Sequence, residues 1–182
     1  MTLKFTLFFL ALAFFVPASA AGSLPGALFQ LPSHDCLHKP LRGTPEQRLE
    51  FRQCLDHASR VFSISPSILV SIKRAESGLD LDPSVTNHNT DGTTDLSLMQ
   101  VNYEVWSEEL RRIGISLPRE AYHDVCNNLM LSGWILRRHL DRFGGDAFEA
   151  VGRYHSGTPH LKRIYQTRLA EQARHVVAGC SQ

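Results

Sequence analysis

The sequence predicts a mainly α-helical domain with a small β element, an α+β class in which helices dominate. Three observations carry that expectation. From Thr44 onward, apolar residues recur at helical spacing in segment after segment; one polar, turn-rich stretch, residues 80–96, interrupts them; and no internal repeat or low-complexity tract divides the chain. One continuous domain over residues 45–182 follows.

Residues 1–20 stand apart. Lys4 is their only charged residue, Phe5 to Val16 is uncharged and almost wholly apolar, and the segment ends in Pro17-Ala18-Ser19-Ala20. Twelve apolar residues are too few for a membrane-spanning helix, which needs about 20. A basic start, an apolar middle and a small-x-small end read as a secretory signal peptide cleaved after Ala20. Residue 21 is alanine, so the new N-terminus offers no thiol to a lipid, and no membrane anchor is expected after cleavage. The 182 residues less these 20 leave 162, enough for one domain that buries roughly 70% of its unfolded surface.

Residues 21–44 contain Gly22, Pro25, Gly26, Pro32, Pro40 and Gly43 without helical period, and are expected to form an extended arm tied down through Cys36. A first helix opens at Thr44-Pro45-Glu46-Gln47, with a capping threonine, proline at the first helical position and glutamine three after the cap. It is expected to reach about Val61, with Leu49, Cys54, Ala58 and Val61 along one side. A second helix starts at Ser65-Pro66, carries Ile68, Leu69, Ile72 and Ala75 on a buried face, and stops at Gly78. Asp82-Pro83, Asn87-His88-Asn89 and Asp91-Gly92 then predict short strands around a turn. Further helices are expected at about Tyr103 to Ile113, Cys126 to Phe143, Asp146 to His155 and Pro159 to Ala178, with Leu161, Tyr165, Leu169 and Ala173 as the apolar stripe of the last.

Charge and cysteine content exclude other classes. Without Lys4, 18 basic residues face 18 acidic ones, and no block of five like charges occurs. A balanced chain of this kind lacks the basic footprint of nucleic-acid binding, so no nucleic-acid partner is expected. Cys36, Cys54, Cys126 and Cys180 all follow the signal segment, which favours two disulfides with three possible connectivities. There is no C-x-x-C or H-E-x-x-H, and a close Cys/His pair such as Cys36-x-His38 is too little for a metal site, so neither a metal nor any other cofactor is expected.

Three local features point to chemistry. Ala75-Glu76-Ser77-Gly78 puts a carboxylate on the last turn of an apolar helix, where the helix dipole and desolvation both disfavour its charge. Glu76 is thus a candidate acid that stays protonated near neutral pH, against the plainer reading of a solvated helix-end glutamate. In Leu98-Met99-Gln100-Val101-Asn102, amides alternate with apolar side chains. If this stretch is extended, Gln100 and Asn102 share a face and can meet a polar ligand such as a sugar amide; the plainer reading is a loop whose amides satisfy its own backbone. Gly152-Arg153-Tyr154-His155-Ser156-Gly157 ends a helix with a tyrosine that can aim into a cleft or fill the core, and Tyr165 has the same two readings.

These features occur together, in the order Glu-Ser, Leu-Met-Gln-x-Asn, Tyr-x-x-Gly. At this point the sequence resembles the lytic transglycosylases of the soluble lytic transglycosylase (SLT) family, which share the lysozyme-like fold. The likeness is strongest to the small specialised members that accompany type III and type IV secretion, conjugation and pilus systems, and runs from about Cys54 to Val177. Asn89-Thr90-Asp91-Gly92-Thr93-Thr94-Asp95 and His123-Asp124-Val125-Cys126-Asn127-Asn128 resemble further family elements. The chain departs from the family at Ser97, where glycine is common, at His155-Ser156, where Asn-Ala is common, and at Val125, where the small members often have proline.

The resemblance implies a periplasmic enzyme acting on peptidoglycan. Glu76 matches the family's single catalytic acid/base, and Ser77, Met99, Gln100, Asn102, Tyr154 and Tyr165 fall where the family orients that acid and holds the sugar, Met99 as apolar cleft wall. The small members also resemble this chain at Cys54 and Cys126, which implies that pair and leaves Cys36 with Cys180 to tie the arm to the C-terminus. Two alternatives stand beside this reading. One is a hydrolytic muramidase using Asp80, Asp82, Asp91 or Asp95 as a second acid, each otherwise a turn or capping residue. The other is a catalytically silent wall-binding assembly subunit, suggested by the changes at Ser97, His155 and Ser156.

Overall fold

The computed structural model describes residues 41–178, with side chains through Val176. The expected signal segment, most of the expected arm, and the expected pairing of Cys36 with Cys180 lie outside the described residues. Helices α1 (Pro45–Phe62), α2 (Pro66–Ser77), α3 (Tyr103–Arg112), α4 (Val125–Arg142), α5 (Ala147–His155) and α6 (Pro159–Ala178) are joined by a three-stranded antiparallel sheet of β1 (Thr86–His88), β2 (Thr94–Leu96) and β3 (Val101–Asn102), and by a 3₁₀ turn at Arg119–His123.

Local chemistry sets the ends of these elements. At α1, the Gln47 amide N–H donates to Thr44 Oγ1 while the Thr44 N–H donates to Gln47 Oε1, a complete capping box. Asn102, Asp124 and Asp146 each accept a main-chain N–H with a side-chain oxygen and so start α3, α4 and α5. Gly78 ends α2 at φ 73°, a conformation that costs a residue with a Cβ.

Helix α1 lies along α4 and α2 along α6, while α5 bridges α4 and α6. The buried face of α1 is Phe51, Cys54, Leu55, Ala58, Ser59 and Phe62. Leu49, expected on that face, is 56% exposed, because the core-facing arc is centred near Leu55. Gly133 of α4 allows close approach to α1: a Cβ there would come within 2.6 Å of the Phe62 ring. A disulfide joins Cys54 to Cys126 across the same interface, with Cα atoms 4.8 Å apart. Reading the last helix as an apolar stripe holds for Tyr165 and Leu169, both buried, but Leu161 is 46% exposed.

β1 and β2 pair with Asn87 opposite Asp95, and β2 pairs with β3 through Asp95 opposite Asn102. The intervening turn is set by Asp91, whose Oδ1 accepts both the N–H and the hydroxyl of Thr93, and by Gly92 at φ 85°. Beyond Gly78 the chain is pinned by Lys73. Its buried ammonium donates to the Gly78 carbonyl at 2.9 Å and the Asp80 carbonyl at 2.6 Å, and burial pushes its pKa down to about 8. Arg42 pairs in parallel with Asp80 from the other side, through the backbone and through an ion pair. Among the described residues no helix is long and apolar enough to cross a membrane.

Candidate active site

The end of α2, the strands and the start of α6 enclose a cleft of about 480 Å³ whose lining includes Glu76, Asn89, Asp95, Trp106, Tyr154 and His155. Glu76 stands there because α2 is buried almost all round and ends at Gly78, which leaves the last turn facing the opening. Its side chain is only 12% exposed. Burial pushes its pKa up to about 7; the Tyr165 hydroxyl and the Arg168 guanidinium oppose the rise, and the Asp95 carboxylate adds to it. The Tyr165 hydroxyl faces the carboxyl without full hydrogen-bond geometry, close enough to favour its ionised form. His155 Nδ1 lies 3.9 Å from Glu76 Oε1.

The segment behind the carboxyl, Leu96 to Gln100, is held by three helices. Ser77 of α2 donates its hydroxyl to the Leu98 carbonyl at 2.6 Å. Asn128 of α4 accepts the Met99 N–H at 2.8 Å and donates to the Leu96 carbonyl at 3.1 Å. Tyr154 of α5 donates to the Met99 carbonyl at 2.8 Å. Between Leu96 and Val101 the backbone turns, with Ser97 at φ 64° and Gln100 at φ 47°. Of the two readings of Leu98 to Asn102, the structure shows the plainer one, a turn whose amides are engaged within the protein, and only Val101 and Asn102 are strand.

That turn redistributes the expected cleft residues. Glu76, Gln100, Asn102 and Tyr154 line the cleft, whereas Ser77, Met99 and Tyr165 do not. Met99 is fully buried, swung inward by the left-handed residues around it, so it is core and not cleft wall. Tyr165 is 2% exposed and supports the site from behind. Ser77 is occupied with the Leu98 carbonyl. The amides of Gln100 and Asn102 are also engaged internally. Gln100 donates to the Ser97 carbonyl and accepts from Asn87. Asn102 donates to Thr93 Oγ1 and Asp95 Oδ1 and accepts from Val105. They shape the cleft floor more than they offer free donors to a ligand.

The four aspartates separate. Asp80 pairs with Arg42, Asp82 accepts from Ser84 in a turn, and Asp91 closes the β1–β2 turn. Asp95 lines the cleft with Glu76, its Oδ1 held by Asn102. Sequence reasoning did not place Asn128, Asn87, Trp106 or Arg168 at the site, and it gave Leu161 to the apolar stripe of the last helix instead of the cleft lining. Only Asn128 left a signal, as an amide one turn into an otherwise apolar helix face. Trp106 stands edge-on to Trp134, centroids 5.7 Å apart, giving the cleft an aromatic wall. Among the described residues no group of three or more His, Cys, Asp or Glu side chains is arranged to hold a metal ion.

The chain is similar in sequence to known proteins. A family model described as the Transglycosylase SLT domain matches residues 53–177. Invasion protein IagB of Salmonella typhimurium (strain LT2) is 32% identical over 119 residues, 65% of this chain and 71% of that protein. Protein IpgF of Shigella flexneri is 31% identical over 118 residues, covering 65% of this chain and 74% of its own length. X polypeptide of Escherichia coli (strain K12) is 32% identical over 122 residues, 64% of this chain and 66% of that protein.

Proposed function

This chain belongs to the transglycosylase SLT family, and from that membership we propose that it is a peptidoglycan lytic transglycosylase with Glu76 as its single acid and base. The observation that carries the reading is a buried carboxyl at the cleft whose pKa is pushed up to about 7. A group poised there is protonated when needed as an acid and ionises readily when needed as a base.

Glu76 protonates the glycosidic oxygen of the β-1,4 bond between N-acetylmuramic acid and N-acetylglucosamine. The bond from C1 to that oxygen breaks, its electron pair stays with the leaving oxygen, and the substrate's own N-acetyl oxygen stabilises C1 in place of a second carboxylate. The ionised Glu76 then takes the proton of the muramic 6-hydroxyl as O6 attacks C1. The product is a 1,6-anhydromuramoyl end, and Glu76 regains its proton. Tyr165 and Arg168 favour the ionised stage, while burial and Asp95 favour the protonated one.

Export through residues 1–20 into the periplasm fits this substrate, with residues 21–44 as an arm and 45–182 as the catalytic domain. A relative named an invasion protein, together with the sequence resemblance, supports local wall opening for a secretion, conjugation or pilus apparatus. One observation favours a second reading, a hydrolytic muramidase: Asp95 shares the cleft with Glu76. Digestion of purified sacculi tests for catalysis. The wild type is expected to release soluble muropeptides and Glu76→Gln to release none; equal release by both, or by neither when well folded, would count against the enzyme reading.

A further inference from the structure

His155 is the cleft residue with the least explained position. It ends α5, lines the cleft and is 42% exposed at its side chain. Its ring lies flat on Tyr165, centroids 4.5 Å apart and planes within 7°, which limits how far it can swing away from Glu76. Nδ1 faces Glu76 Oε1 at 3.9 Å, too long for a direct hydrogen bond but well inside the range at which a charge is felt. We propose that His155 is a positioning residue that must be neutral for turnover: a proton on its ring would set a cation beside Glu76 and beside the sugar carbon where positive charge develops.

The inference rests on the lytic transglycosylase reading and adds to it a limit on the acidic side. Several charged and titratable groups face the ring. Glu76 comes from α2, Asp95 from β2, Tyr165 and Arg168 from α6, and Tyr154 adjoins it on α5. Burial first, and then Arg168, lower the ring's proton affinity, while Asp95 opposes them. The ring therefore takes up its proton only at more acidic pH than a free imidazole does. On acidification the ring gains its proton, and two effects follow. The cation repels the oxocarbenium-like charge at C1, and it stabilises the carboxylate, making Glu76 a weaker base toward the 6-hydroxyl. A neutral amide at this position would carry no such limit.

The test compares pH profiles of muropeptide release from sacculi for the purified wild type, His155→Asn and His155→Phe, each scaled to its own maximum. His155→Phe keeps a ring to stack on Tyr165 and cannot titrate. The wild type is expected to lose activity about tenfold per pH unit below the midpoint of His155, and both variants to lose that acid limb while keeping the alkaline one. NMR titration of the wild-type chain, with the His155 resonance identified by its loss in His155→Phe, should place the ring's midpoint at the acid limb. An acid limb that survives in both variants, or a ring midpoint away from it, overturns the inference. Failure of the underlying reading shows separately, as Glu76→Gln that still releases muropeptides, and would remove the inference with it.

Discussion

The hydroxyl of Tyr154 donates a 2.8 Å hydrogen bond to the main-chain carbonyl of Met99, joining α5 to the turn behind Glu76. Burial and the nearby Glu76 carboxyl push the tyrosine's pKa up, so the hydroxyl stays a donor throughout the working range. Tyr154→Phe keeps the ring and strands the carbonyl. It is expected to lower stability by about 1–3 kcal/mol and to reduce kcat by more than it raises KM, measured by chemical denaturation and by muropeptide release.

Glu76 sets both the alkaline limit of activity and a stability cost. Activity should fall as pH rises through about 7, with the proton lost from the acid. A carboxyl with higher proton affinity folded than unfolded makes the folded state bind more protons. Its contribution to stability is therefore full below about pH 4.5 and lost as pH rises through about 7. The span corresponds to at most about 3 kcal/mol. Glu76→Gln should accordingly unfold at a higher temperature than wild type at pH 8, with the difference vanishing near pH 4, as read by calorimetry.

Ser97 occupies a left-handed conformation at φ 64°, is fully buried, and its hydroxyl has no hydrogen-bond partner. Each of these favours glycine. Ser97→Gly is expected to stabilise the fold by about 1 kcal/mol, a rise of a few degrees in Tm, with activity retained.

Asn128 satisfies two main-chain groups of the same turn from inside the core. Asn128→Ala would leave the Met99 N–H and the Leu96 carbonyl unpaired, at a cost of about 2–4 kcal/mol. Loosening of the Leu96 to Gln100 turn should show as faster amide exchange there, with α1 and the Cys54–Cys126 region unaffected.

Much of this was legible in the sequence where local chemistry decides the outcome. The Thr44-Gln47 capping box starts α1, while the apolar face of Leu69, Ile72 and Ala75 and the stop at Gly78 fix α2, the helix that delivers Glu76; each acts within one or two turns. What escaped depends on groups far apart in the chain. Alternation in Leu98 to Asn102 suggests a strand, but Ser77, Asn128 and Tyr154, from three different helices, hold a turn with two left-handed residues. Met99 therefore points inward and the amides of Gln100 and Asn102 are engaged within the protein. Leu49 and Leu161 fit a helical period equally well, yet which side of the period meets the core depends on where α4 and the cleft lie.

The most direct test of the central claim is the mass of the products released from purified peptidoglycan. A single acid/base acting with the substrate's own 6-hydroxyl predicts muropeptides ending in 1,6-anhydromuramic acid, one water lighter than hydrolysis products and without a reducing end. Products bearing only reducing-end sugars would contradict the account and assign water activation to a second carboxylate in the cleft, with Asp95 the first to examine.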